Sequence, residues 1–152
     1  MDHYTKSKMG RKAMKKYIGM ALVLIAILTL TACGSNGSKK IVLPKAEEIK
    51  EIEIMKNTSE ESLKIENQDE ISGIIAEIEE NTNATGRESV NDQPTNIDDY
   101  LIIKFHHKNA EENPSVVYLY KDKNSSYVEQ PYAGIWELRE EIFDRISSNL
   151  IK

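Results

Sequence analysis

The chain has 152 residues, 39% of them hydrophobic, and a single cysteine, so no disulfide can form within it and its fold must rest on an apolar core. The first 32 residues hold six basic side chains and one acid, which leaves 14 basic and 24 acidic residues in the remainder, a formal charge of −10. That charge speaks against nucleic acid as a partner and against a polybasic contact with anionic lipid.

The chain opens on a basic stretch of Lys6, Lys8, Arg11, Lys12, Lys15 and Lys16, followed by an apolar run from Tyr17 to Leu30. The run has the length of a signal-peptide core and is short of the roughly 20 residues that span a bilayer. Leu30-Thr31-Ala32-Cys33 closes it and resembles the lipobox of bacterial lipoproteins. The small residues admit a peptidase before Cys33, and the Cys33 thiol is the nucleophile that takes a diacylglyceryl group. Each buried CH₂ of the acyl chains contributes about 0.8 kcal/mol, so two chains anchor stably where one is marginal. The expected partner of Cys33 is therefore the lipid bilayer, and the expected location is the extracytoplasmic face of the cell membrane. Met9 and Met14 are alternative starts. Residues 33–40, rich in Gly and Ser, read as a flexible tether, and residues 41–152 as one domain.

Within that domain Ile52 and Ile54 alternate with Glu51 and Glu53, predicting a strand over Ile49–Lys56. Leu63 and Ile65 are a weaker strand signal. Ile71, Ile74, Ile75 and Ile78 fall at helical spacing, with Asn67 or Asp69 as cap. Residues 81–86 break that period, and Arg87–Val90 is a weak strand candidate before a turn at 92–96. Tyr100–His107 alternates Leu101, Ile103 and Phe105 against Tyr100, Ile102, Lys104 and His106. Ser115–Lys121 sets Val117 and Leu119 against Val116, Tyr118 and Tyr120. A hairpin loop at 122–126 leads to a return strand at Tyr127–Glu129, and Pro131 and Gly134 mark a turn in which Gly134 is a candidate for positive φ. Ile135–Leu138 leads into a second helix striped by Leu138, Ile142, Ile146 and Leu150, with Phe143 beside it. This order predicts an α+β fold: an antiparallel meander sheet with two helices packed on one face.

The segments Ser89-Val90-Asn91-Asp92-Gln93-Pro94 and Tyr127-Val128-Glu129-Gln130-Pro131-Tyr132-Ala133-Gly134-Ile135-Trp136 resemble hallmark stretches of an uncharacterised domain family of Firmicutes surface lipoproteins. The opening Leu43-Pro44 followed by Ile49, Ile52 and Ile54 fits as well, and Trp136 stands where the family more often has tyrosine. Related domains of that family occur on membrane sensor peptidases of the β-lactam-receptor type. The resemblance implies a domain of unknown function and supplies no catalytic residues.

The chemistry legible in the residues is sparse. His106 and His107 are strand neighbours that point to opposite faces, which disfavours a shared metal. No Gly-x-Ser-x-Gly elbow, phosphate loop or reactive cysteine is present. Glu140-Glu141 suits the positive end of a helix dipole. No cofactor or metal is expected. Two function classes stay open: a non-catalytic binding or sensing module, and a cell-envelope hydrolase or other enzyme with an unrecognised site. For the first, Tyr118, Tyr120, Tyr127, Gln130, Tyr132 and Trp136 form the candidate surface, with a peptide or envelope protein as partner. The alternative is that these rings serve the core.

Overall fold

Alternation of branched apolar and polar residues builds most of the sheet. The computed structural model describes residues 39–109 and 111–151. Its strands are β1 (Ile49–Lys56), β2 (Ser62–Ile65), β3 (Thr82–Arg87), β4 (Tyr100–His107), β5 (Ser115–Asp122), β6 (Ser125–Gln130) and β7 (Gly134–Leu138). Two helices, α1 (Gln68–Glu80) and α2 (Glu140–Ser148), complete the α+β fold. The strand order is β2-β1-β4-β5-β6-β7-β3, and every neighbouring pair is antiparallel.

One sheet face is apolar. Ile52 and Ile54 of β1, Leu101, Ile103 and Phe105 of β4, Val117 and Leu119 of β5, Val128 of β6 and Trp136 and Leu138 of β7 join one buried cluster. The helices close it with Ile71, Ile75 and Ile78 from α1 and Ile142 and Ile146 from α2. Asn67 starts α1, its Oδ1 accepting from the backbone N–H groups of Asp69 and Glu70 at 2.9 and 3.1 Å, a cap of about 1 kcal/mol. Arg139 at the start of α2 makes no such side-chain bond. Glu140 and Glu141 sit in that first turn, and Lys121 Nζ reaches Glu140 and Asp144, each at 2.9 Å.

Several boundaries differ from the sequence reading. Residues 82–87 form edge strand β3, where a break in the helical period was expected, and Arg87–Val90 is not a strand beyond Arg87. β3 escapes detection because Ala84 is its one residue packed on the core and a register shift follows it, so no alternation survives. The expected loop at 122–126 is a two-residue turn, since Asp122 pairs with Ser125 and Lys123 takes φ 56°. Leu138 lies in β7 and Leu150 in a terminal 3-10 turn (Asn149–Ile151), so the expected helical stripe is shared by three elements. Gly134 does not carry positive φ; Tyr132 does, at 58°. A Cβ at Gly134 would stand 3.0 Å from the Trp136 ring, so glycine is needed there for room.

The topology dictates what happens on the other face. β3 and β4 stand four places apart, about 19 Å at ordinary strand spacing. The chain between them, residues 88–99, must therefore cross β7, β6 and β5. It does so on the face away from the helices, where the side chains facing it include Tyr120, Glu129 and Ile135.

Candidate functional site

The crossing segment and β6 are joined residue by residue. Ser89 Oγ donates to Glu129 Oε1 at 2.7 Å, and Tyr120 Oη donates to Glu129 Oε2 at 3.0 Å. Tyr132 Oη donates to Asp92 Oδ1 at 2.5 Å, and Tyr100 Oη lies 3.4 Å from Gln93 Oε1. Pro94 is buried. The two segments singled out by the family resemblance, 89–94 and 127–136, thus hold each other. A cleft of about 400 Å³ lies between them, lined by Arg87, Asn91, Thr95, Asn96 and Asp122 over Tyr120 and Glu129.

Glu129 is the unusual group: a carboxylate 5% exposed, with a hydroxyl donor on each oxygen and no ion pair among the described residues. β6 places it there because Tyr127 and Glu129 project to this face, opposite Tyr120 and Tyr118 of β5. The neighbouring carboxylate and burial both push the Tyr120 hydroxyl well above its ordinary pKa, burial most, so Tyr120 is a fixed donor. Arg87 lies over the Tyr127 ring at 5.4 Å, the Tyr120 and Tyr127 rings are 5.7 Å apart, and Tyr100 meets Tyr118 edge-on at 5.4 Å. Ser89 has no histidine beside it. His106 Nε2 lies 3.4 Å from Glu53 and 3.8 Å from Glu51, while His107 bonds Ser115 at 3.0 Å and faces Glu112 at 3.4 Å. Among the described residues no group of three or more His, Cys, Asp or Glu could hold a metal.

The candidate residues fall in three places. Tyr118 and Tyr127 are half-buried on the face under the crossing segment, and Tyr120 is only 2% exposed there. Tyr132 stands at the tip of the β6–β7 turn, 68% exposed. Gln130 and Trp136 belong to the other side. Trp136 is opposite Val128 in the pairing, on the helix-bearing face, and 6% exposed. Its Nε1 donates to the Lys39 carbonyl at 2.6 Å, and Gln130 Nε2 donates to the Val42 carbonyl at 3.3 Å. The expected continuous aromatic surface with Tyr120 and Trp136 as exposed anchors therefore does not exist. The first is covered by 88–99, and the second is on the opposite face because the turn length sets its parity. Cys33 lies outside the described residues.

Gln130 and Trp136 seat a strap of chain at residues 39–43. Ile41 and Leu43 of the strap join the core, and the Leu43 N–H donates to Glu79 Oε1 at 3.1 Å. Contact with the fold thus already includes Lys39, within the stretch read as tether. Ser89, Glu129 and Arg87 were not singled out by the sequence. The available signal was an acid at a strand position in phase with Tyr127 and directly followed by Gln130-Pro131, which places a charge where a half-buried face was expected.

The DUF5301 family, described as "Domain of unknown function (DUF5300)", matches residues 37–137, and the chain belongs to that family. The match includes both joined segments and the strap, and stops before α2. Among solved structures, the chain is similar to a protein described as an NMR structure from Ruminococcus gnavus, with 26% identity and a TM-score of 0.56. The alignment covers 68% of this chain and 99% of that one. No curated protein matches. No catalytic family is among these similarities.

Proposed function

We propose that this protein is a lipoprotein anchored at the extracytoplasmic face of the cell membrane through Cys33, and that its domain is a non-catalytic binding module for a polar ligand. The observation that carries the binding reading is the cleft over Glu129. Its walls are polar side chains, Arg87 at the end of β3, Asp122 at the end of β5, and Asn91, Thr95 and Asn96 on the segment that the topology lays across the sheet. Its base is a carboxylate whose hydrogen-bonding capacity toward Ser89 and Tyr120 is committed to the fold. Such a floor orients groups and supplies neither a free nucleophile nor a base. The hydrolase alternative lacks a histidine among the residues that line the cleft with Ser89, whose acids are Glu88, Asp122 and Glu129. The lipid anchor is supported by the lipobox-like Leu30-Thr31-Ala32-Cys33 after a basic stretch and a short apolar run.

Two measurements test this. Cells fed a clickable fatty acid should label the protein, and Cys33→Ala should abolish both labelling and membrane retention; persisting label on the variant would sink the anchor. For the cleft, envelope components retained by the protein should be lost with Arg87→Ala or Thr95→Val at unchanged melting temperature. Equal retention by both variants would remove the cleft from the function.

A further inference from the structure

The three large apolar side chains left exposed among the described residues are Val42, Val90 and Tyr132. All lie around the β6–β7 turn. Tyr132 is at its tip. Val42 is held to Gln130, the last residue of β6, through its carbonyl. Val90 follows Ser89, which binds Glu129 one residue earlier in β6. Val42 belongs to the strap on the helix side of the sheet, Val90 to the crossing segment on the other, so the two flank the turn.

Tyr132 is held there at a cost. A tyrosine with φ near 58° occupies the left-handed region that side chains rarely adopt, and its hydroxyl is fixed on Asp92. The ring is displayed to solvent by a conformation the sequence could have avoided with glycine.

The same end of the molecule holds Lys39, which a short stretch of chain joins to Cys33. Trp136 fixes the Lys39 carbonyl, and five residues separate Lys39 from Cys33, a span of at most about 22 Å even fully extended. We infer that the β6–β7 turn end, with Val42, Val90 and Tyr132, is a membrane-contacting surface that sits in the interfacial zone of the bilayer to which Cys33 is anchored. This rests on the lipid anchor proposed above. Tyrosine suits that zone because its ring is apolar and its hydroxyl polar. Charge does not drive the contact. Lys39 and Lys40 are exposed beside the strap, but Glu88 and Asp92 flank Val90, and Glu111 and Glu112 lie at the same end of the sheet beyond His107. The surface therefore fits a zwitterionic interface as well as an anionic one. Three side chains are too few to hold a free domain, so the contact orients a domain that lipid already holds.

The test uses the full lipidated chain in phosphatidylcholine vesicles. Val42→Cys, Val90→Cys and Tyr132→Cys are each labelled with a bimane, with Glu60→Cys in the β1–β2 loop at the opposite end as reference. Nitroxide-bearing lipids should quench the three probes severalfold more than the probe at residue 60, and equally in vesicles containing phosphatidylglycerol. Equal quenching at all four sites, with Cys33 carrying its acyl groups by mass spectrometry, would overturn the surface and leave the anchor standing. Preferential quenching that arises only with phosphatidylglycerol would overturn the apolar contact in favour of Lys39 and Lys40. A Cys33 that reacts with maleimide in the unsubstituted chain would overturn the anchor itself, and this inference with it.

Discussion

The face of the sheet away from the helices has two halves that solve the same problem in opposite ways. On β5, β6 and β7 the crossing segment 88–99 covers the strands, and Glu129 there is buried and matched by two hydroxyls. On β2, β1 and β4 no such crossing segment is present among the described residues, and the polar side chains pair with one another. Lys64 lies 3.2 Å from Glu51, Lys104 lies 3.4 Å from Glu53, and His106 is set between the two acids. The difference teaches where substitutions should cost. A buried polar group that loses its partner keeps its full desolvation penalty, while an exposed ion pair is worth little because water replaces either member.

The largest effect should follow Glu129→Ala, which leaves Ser89 and Tyr120 without an acceptor and opens a void under the crossing segment. About 3 kcal/mol of stability should be lost in urea unfolding. A loss as small as that from an open-half substitution would erase the contrast between the two halves. Tyr120→Phe removes a single donor from the buried carboxylate, and a loss of about 1–3 kcal/mol is expected. Combined with Ser89→Ala in a double-mutant cycle it should show coupling, because both hydroxyls serve one carboxylate. Gly134→Ala probes a different constraint, crowding against the Trp136 ring, and should cost about 1–3 kcal/mol with no change in the pairing of β6 and β7 by NMR.

The smallest effect belongs to the open half. Burial pushes the Glu53 carboxyl up, but hydrogen bonds from Ser62 and His106 and the charge of Lys104 outweigh it and hold the group below its usual 4.5. A depressed folded pKa stabilises above the unfolded value and loses that contribution as pH falls through the folded one. Glu53→Gln should therefore lower stability at pH 7 by at most about 1 kcal/mol, and the gap to the unsubstituted protein should close as pH drops below about 4.5. A gap that widens in acid would show that Glu53 is not the paired group.

The elements with a full apolar face were legible in the sequence. Ile52 and Ile54, Leu101 to Phe105, and the isoleucines of α1 each announce one buried side at the period of their own element. β3 was not, because an edge strand with one core contact at Ala84 has no period to show. The candidate site was half legible. The resemblance pointed to 89–94 and 127–136, and these are the segments that meet. Trp136 was left between the aromatic surface and the core, and the structure selects the core: three turn residues, Pro131 to Ala133, set Gly134 opposite Gln130, and strand parity across a turn depends on a count that local composition does not reveal. The burial of Tyr120 depends on a segment about thirty residues away in sequence crossing overhead, which follows from strand order and not from alternation.

The seating of the strap gives the molecule a direction of mechanical weakness. Among the described residues, tension applied at Cys33 would meet the bond between Lys39 and Trp136, then Ile41, then the Val42 carbonyl on Gln130, then the Leu43 N–H on Glu79. These attachments lie in series along one stretch of chain, so a pull would peel them one after another, each at low force, before β1 and the sheet bore any strain. Trp136 is the chain's single tryptophan, so its fluorescence would report the first step of that peeling.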